Sequence, residues 1–176
     1  KPVRAPEFTH MLASITTSPA TPDSRVLVSA ADLQRGIDND EMLAFVQPQV
    51  SLRTGEWVGL EALVRWKHPQ FGLLTPDRFV PLAESTGLAL ALTRAVILQA
   101  LGIAQRARDQ QGFSGTLAIN LAPASLTDPH FPEAMARLVQ QVPWDPARLC
   151  FEVTETSVAA DPDLALEILA RLHMRG

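Results

Sequence analysis

The run at positions 57–66 constrains the fold most, because its side chains alternate strictly between two faces. One face is fully apolar and consists of Val58, Leu60, Ala62, Val64 and Trp66. The other face carries Glu61, Leu63 and Arg65. A period of two residues predicts a β-strand with helices on its apolar face and two charges turned toward an interior. Buried charges need partners, so two interpretations stay open: Glu61 and Arg65 pair with each other in a structural role, or they bind a metal ion and a phosphate.

Strand and helix patterns follow one another along the rest of the chain. The predicted order is a helix at 32–42, strands at 43–52 and 57–66, a helix from Thr75 to Gly87, a helix at 88–111, a strand at 116–121, a helix at 132–141, a strand at 148–154 and a helix at 163–174. The short turn at 53–56 predicts an antiparallel hairpin. The later alternation predicts parallel strands, so the fold class is α/β, as an open doubly wound sheet or part of a (β/α) barrel. No glycine-rich phosphate loop follows a strand in the sequence, which disfavours a nucleotide-binding open sheet.

Charge, cysteine content and hydropathy exclude several kinds of protein. The net charge is −4, so we expect no surface for DNA. The single cysteine, Cys150, excludes an internal disulfide and fits a reducing, cytoplasmic location, and we expect it to be buried. The most apolar segment, 88–104, is interrupted by polar residues, which indicates a buried helix and no membrane span.

Residues 1–31 differ in composition from the remainder, 32–176, which we assign to one α/β domain. A Ser/Thr/Pro cluster at 14–24 is typical of a linker, and 6–15 has the spacing of a short helix. The sequence starts without methionine and stops at Gly176, which is typical of a helix C-cap. We therefore expect this chain to be a piece of a longer protein.

Polar side chains occupy the non-helical faces of three successive predicted strands. They are Glu61, Asn120 and Glu152. Asn120 and Glu152 fall toward strand C-terminal ends, where parallel α/β folds place their chemistry. Taken singly, Asn120 fits a strand-end turn and Glu152 an ion pair. Together the three offer the hard oxygen donors that suit Mg²⁺ or Mn²⁺, and Glu155 is a further ligand or an anchor for a neighbouring loop.

Five blocks of the sequence resemble the EAL domain, the bacterial cyclic di-GMP phosphodiesterase. They are 45–49 (Phe-Val-Gln-Pro-Gln), 59–66 (Gly-Leu-Glu-Ala-Leu-Val-Arg-Trp), 76–84 (Pro-Asp-Arg-Phe-Val-Pro-Leu-Ala-Glu), 118–123 (Ala-Ile-Asn-Leu-Ala-Pro) and 151–156 (Phe-Glu-Val-Thr-Glu-Thr). The blocks agree with the family in order and spacing, and the resemblance covers about residues 33–176.

The resemblance implies a TIM-like barrel whose first strand runs antiparallel to the others. It implies hydrolysis of cyclic di-GMP to linear pGpG with two Mg²⁺ or Mn²⁺ ions. By position, the metal ligands are Glu61, Asn120 and Glu152, and Glu155 corresponds to the glutamate that holds the loop after strand five. The implied substrate contacts are Gln47, Leu63 and Arg65, with Arg65 on a phosphate.

Two departures from the family pattern affect this expectation. Ala122 stands where the family often has serine, and the sequence stops before the family's Asp-Asp-Phe-Gly-Thr-Gly block. We therefore expect an incomplete barrel, truncated after about four strands, which does not hydrolyse cyclic di-GMP by itself. An open strand edge would favour a homodimer formed through the EAL domains or the half-barrel edges.

The first residues and the site leave further alternatives. Lys1-Pro2 before a predicted helix is similar to the end of a receiver domain, so 1–31 would join a receiver or other sensor domain to the EAL domain. In that case the parent protein is a receiver–EAL response regulator. Whatever precedes the domain, we expect the parent to be an active cyclic di-GMP phosphodiesterase, because the motif residues are intact except for the change to Ala122. The alternative is a degenerate EAL domain that serves as a cyclic di-GMP receptor or protein-interaction module. A (β/α) barrel fragment without any ligand is the third interpretation.

Overall fold

The computed structural model describes residues 27–154, 158 and 161–175. The predicted helix at 6–15, the predicted linker and Glu155 lie outside the described residues. Helices and strands form one α/β arrangement, as predicted. In chain order the elements are α1 (Ala30–Asp38), β1 (Met42–Val50), β2 (Trp57–His68), β3 (Gly72–Leu74), a 3₁₀ turn (Pro76–Arg78), α2 (Val80–Ser85), α3 (Ala89–Gln111), β4 (Thr116–Asn120), a 3₁₀ turn (Pro123–Leu126), α4 (Phe131–Val139), a 3₁₀ turn (Pro146–Arg148), β5 (Leu149–Glu152) and α5 (Pro162–His173).

The described strands form a single open sheet in the order β1-β2-β4-β5, with β3 paired to β2. Strand β1 runs antiparallel to β2, whereas β4 is parallel to β2 and β5 is parallel to β4. The antiparallel opening hairpin and the parallel strands after it are confirmed. A register shift between Gln49 and Val50 marks a bulge near the turn end of the hairpin.

Strand β3 was not predicted. The described residues contain five strands, whereas the sequence predicted about four. The turn before it is closed by His68, whose Nδ1 accepts hydrogen bonds from the backbone N–H groups of Gln70 and Phe71 at 3.1 and 3.3 Å. Gly72 then takes a positive φ of 71°, a backbone conformation that glycine adopts without strain. These contacts extend β2 to His68, two residues beyond the predicted end.

The prediction of one continuous helix from Thr75 to Gly87 is wrong, because the chain forms two separate helical segments there. Phe79, with φ −137° and ψ −21°, leaves the helical region and separates a 3₁₀ turn from α2. Phe79 is fully buried, which indicates that its packing sets the break. Three of the other boundaries coincide with the predicted ones, at Trp57, Gln111 and Thr116, and the rest differ by one to four residues.

The apolar face of β2 packs on helices largely as predicted. Leu60, Ala62 and Trp66 are buried, and the first two share a core cluster with α3, α4 and α5. Val58 is 46% exposed, because it lies near the turn end of the strand, where helices do not cover it. The prediction that Cys150 is buried is wrong: it lies on β5, an edge of the described sheet, and is exposed. None of the described helices has the length and apolar character of a membrane span.

Two glycines give a matched test of this packing. A Cβ at Gly115 would lie 2.2 Å from the carbonyl oxygen of Val58, whereas a Cβ at Gly102 would meet only Arg106 Nη1 at 3.5 Å. We expect Gly115→Ala to lower the free energy of unfolding by about 2 kcal/mol or more, because β4 must shift away from β2. Gly102→Ala, inside α3, is expected to raise it by about 0.5–1 kcal/mol. Urea unfolding followed by circular dichroism measures both, and equal effects would contradict the described β2–β4 spacing.

Candidate functional site

Neighbouring strands bring the predicted polar residues to one region of the sheet. On β2, Glu61 lies opposite Ala118 of β4, and Asn120 follows two residues later on the same face. Asn120 lies opposite Glu152 of β5. The amide Nδ2 of Asn120 donates a hydrogen bond to Oε1 of Glu61 at 3.0 Å, although the two residues are 59 positions apart. The fold therefore creates the contact between Glu61 and Asn120, with Glu152 next in register.

The atoms of this group that could bind a metal ion are all oxygens, because the amide nitrogen of Asn120 is hydrogen-bonded to Glu61. Glu61 and Glu152 supply carboxylates, and Asn120 turns its nitrogen toward Glu61, which leaves its amide oxygen available. Among the described residues, no three His, Cys, Asp or Glu side chains form a metal-binding group. The set thus consists of two carboxylates and an amide, and such hard donors fit Mg²⁺ or Mn²⁺.

The predicted substrate contacts lie beside this group. Gln47 of β1 is exposed and stands directly opposite Glu61, so both side chains share a face of the sheet. Leu63 lies opposite Phe45 and shares that face. The structure therefore places Gln47 and Leu63 next to the predicted metal ligands, and their roles as contacts stay predictions.

The guanidinium of Arg65 is held by aromatic and backbone contacts. Its Cζ lies 5.9 Å from the ring centroid of Phe45, and its Nη1 donates to the carbonyl oxygen of Val64 at 2.8 Å. Within the described part of the chain, Glu61 and Arg65 form no ion pair with each other. The structural Glu61–Arg65 pair is therefore not formed. Phe45 belongs to a block that we singled out, but its place beneath Arg65 depends on the β1–β2 register.

A second acidic group stands near Arg65. The Thr75 hydroxyl above all, with the nearby charges of Arg78 and Arg65, holds the pKa of the Asp77 carboxyl below its ordinary value. Asp77 Oδ2 lies 3.4 Å from Arg78 Nε, and its side chain is largely exposed. The lowered pKa favours the charged form of Asp77, which offsets part of the positive charge of Arg78 and Arg65.

A cavity of about 470 Å³ opens where β2 and β4 separate. The two strands pair only as far as Ala62 and Ile119. Beyond that point the cavity is bounded by Leu63 of β2, by Asn120 and Glu152 at the strand ends, and by residues of α2 and α3. Glu84 of α2 also lines it. Glu84 received no role from the sequence, because its approach to the strand ends depends on how α2 folds back.

Comparison with known proteins identifies the family. The family model described as "EAL domain" matches residues 30–176, so the chain belongs to the EAL domain family. The cyclic di-GMP phosphodiesterase RocR of Pseudomonas aeruginosa is 36% identical over 150 residues, which cover 85% of this chain and 38% of RocR. An uncharacterized protein of Mycobacterium tuberculosis is 40% identical over 145 residues, covering 82% of this chain and 23% of that protein. The chain spans less than half the length of these relatives.

Solved structures share the fold as well. The PaMucR phosphodiesterase in complex with c-di-GMP superimposes with a TM-score of 0.75 at 31% identity, over 83% of this chain and 59% of that one. The FimX EAL domain from Pseudomonas aeruginosa bound to c-di-GMP gives a TM-score of 0.70 at 25% identity, over 82% and 57%. The predicted fold class, an incomplete TIM-like barrel of the EAL type, is confirmed.

Proposed function

We propose that this chain forms part of the active site of a metal-dependent phosphodiesterase that hydrolyses cyclic di-GMP to linear pGpG. The observation that carries the proposal is the contact between Glu61 and Asn120, with Glu152 next in register, in a member of the EAL domain family. The relatives named as cyclic di-GMP phosphodiesterases and the neighbours solved with c-di-GMP support it.

Three side chains would hold Mg²⁺ or Mn²⁺ in this site: Glu61, Asn120 and Glu152. When bound, such an ion activates water and neutralises charge on the phosphoryl oxygens. The Asn120 amide donates to Glu61 and so fixes the orientation of that carboxylate before any ligand arrives. Glu155 would hold the loop that follows β5.

Arg65 would bind a phosphodiester oxygen. Its contacts with the Phe45 ring and the Val64 carbonyl restrict the guanidinium, and among the described residues no acceptor engages its other N–H groups. A guanidinium that is held in position before the substrate binds stabilises the negative charge that develops on the phosphoryl group during attack by water. Gln47 and Leu63, on the same face of the sheet, would position the nucleotide.

Binding of cyclic di-GMP tests the proposal. With Mn²⁺ present, we expect calorimetry to detect binding to the wild-type chain and a loss of about tenfold or more in affinity for Arg65→Ala, because a charged hydrogen bond contributes about 1.5–3 kcal/mol. Arg53→Ala is the matched control, since Arg53 is exposed at the opposite end of β2. Wild-type protein that does not bind, or Arg65→Ala that binds equally well, would contradict the proposal.

Hydrolysis is measured as pGpG formation by the longer protein of which we expect this chain to be a part. Binding without pGpG formation there would favour a cyclic di-GMP receptor. Four further expectations stay predictions: a receiver or other sensor region before residue 32, a homodimer, the lack of DNA binding and a cytoplasmic location. Sizing chromatography of the chain tests the homodimer.

A further inference from the structure

Gln99 of α3 binds the outer edge of β1 through its side-chain amide. Its Oε1 accepts a hydrogen bond from the backbone N–H of Ala44 at 3.1 Å, and its Nε2 donates to the backbone carbonyl oxygen of Met42 at 2.6 Å. Strand β1 lies at one end of the described sheet, so no described strand pairs with this edge. A helix side chain therefore makes the two hydrogen bonds that a neighbouring strand would otherwise make.

The two hydrogen bonds flank the residue that lies opposite Arg65. Leu43 stands between Met42 and Ala44 in the sequence, and it pairs with Arg65 in the β1–β2 register. The backbone groups of successive strand residues point to alternate sides. The N–H and C=O of Leu43 therefore face β2, while its two neighbours face Gln99. Gln99 thus holds β1 from the side away from β2, at the level of Arg65.

The aromatic ring beside Arg65 belongs to the same short piece of β1. Phe45 follows Ala44 directly, and its ring centroid lies 5.9 Å from Arg65 Cζ. The attraction between a cation and an aromatic ring requires the cation to lie over the ring face within about 6 Å. A movement of β1 near Ala44 would therefore withdraw the ring from the guanidinium.

Helix α3 is fixed in the core on both sides of Gln99. Val96, one turn earlier, is buried in the cluster that contains Trp66, whereas Ala100 is buried in the cluster that contains Leu60. Because the core holds the helix, the side chain of Gln99 transmits this restraint to β1.

We infer that Gln99 is a positioning residue, which acts through β1 and Phe45 to keep Arg65 oriented for a phosphate of cyclic di-GMP. This inference rests on the proposed function and adds a residue that lies outside the lining of the cavity between β2 and β4. The two hydrogen bonds of Gln99 hold the strand, the strand holds the ring, and the ring holds the guanidinium.

A double-mutant cycle with Arg65→Ala separates this role from a general effect on the fold. Gln99→Leu keeps the approximate size of the side chain and removes both hydrogen bonds. In calorimetry with Mn²⁺, we expect this variant to bind cyclic di-GMP about fivefold more weakly than the wild-type chain. In the Arg65→Ala background, the same substitution is expected to change the affinity by less than about twofold, because the group that Gln99 orients is absent.

A second readout follows Arg65 directly and without ligand. The Nε–Hε resonance of Arg65, assigned by its loss in Arg65→Ala, is expected to move toward the position of an exposed arginine in Gln99→Leu. Gln99→Glu keeps an acceptor for the Ala44 N–H and loses the donor to Met42, so its effects are expected to be intermediate. If Gln99→Leu fails to fold, Gln99→Glu takes its place in the cycle.

Gln105→Leu is the matched control, since Gln105 is partly buried on the same helix and its Nε2 donates to Asp109 of that helix at 2.9 Å. It is expected to keep the wild-type affinity and the wild-type Arg65 resonance. An equal loss of affinity in both backgrounds, wild-type affinity for Gln99→Leu, or an unchanged Arg65 resonance would each overturn the inference, while wild-type binding upheld the proposed function. Wild-type protein that does not bind cyclic di-GMP would overturn the proposed function and this inference with it.

Discussion

Glu61→Gln is expected to lower the affinity of the chain for Mn²⁺ by about 100-fold. Groups that hydrogen-bond to a metal ligand typically contribute about 10- to 100-fold to metal affinity, and a charged ligand contributes at least as much. The substitution keeps an oxygen that accepts from the Asn120 amide, so the Glu61–Asn120 contact survives. Titration of free Mn²⁺ by electron paramagnetic resonance at pH 7 measures the change.

The controls separate loss of a ligand from loss of structure. Glu56→Gln makes the same chemical change in the exposed β1–β2 turn and is expected to leave Mn²⁺ affinity unchanged. The melting temperature without metal is expected to be the same in all three proteins. An equal affinity for Mn²⁺ in Glu61→Gln and wild type would favour the third interpretation, a barrel fragment without a ligand.

Trp66→Ala is expected to lower the free energy of unfolding by about 3–5 kcal/mol. Trp66 is fully buried in a second core cluster, which it forms with residues of α1, β1, β3, α2 and α3. Its ring meets Phe79 edge-on at 5.7 Å and His68 at 4.8 Å between ring centroids. Its Nε1 donates to Oε2 of Glu41 at 2.8 Å. A Cβ at Gly36 of α1 would lie 2.7 Å from the indole, so the helix also packs closely on this ring.

Two further variants show how much of this loss of stability comes from the hydrogen bond between Trp66 and Glu41. Trp66→Phe keeps an aromatic ring but removes the donor to Glu41, so an intermediate loss is expected. Glu41→Gln keeps an acceptor for the indole N–H and is expected to cost about 1 kcal/mol or less. Urea unfolding followed by circular dichroism at 222 nm gives all three values, and a loss below about 1 kcal/mol for Trp66→Ala would contradict the described packing.

Local periodicity was enough to predict which face of β2 is apolar. Leu60, Ala62 and Trp66 are buried and Glu61 lies on the other face, because the side-chain direction of a strand repeats every two residues. The extent of burial did not follow from the same pattern. Val58 and Cys150 are exposed because burial also depends on which elements cover a given end or edge of the sheet.

The candidate site was predictable where each residue follows from its own strand. Glu61, Asn120 and Glu152 were placed on a common side by alternation, and the strand register then brings Asn120 to Glu61. Glu84 could not be found in this way, since its approach to the cavity depends on the break at Phe79 and the packing of α2.

The bulge at Gln49 and Val50 bears on how this domain tolerates changes of length during evolution. It lies between the β1–β2 turn and the pair formed by Gln47 and Glu61. A residue inserted on the turn side can be absorbed by the irregular pairing there. An insertion between Gln47 and the start of β1 would instead shift the pairing by one residue and move side chains to the opposite face. We therefore expect length differences among natural relatives on the turn side of the bulge, where the site keeps its register.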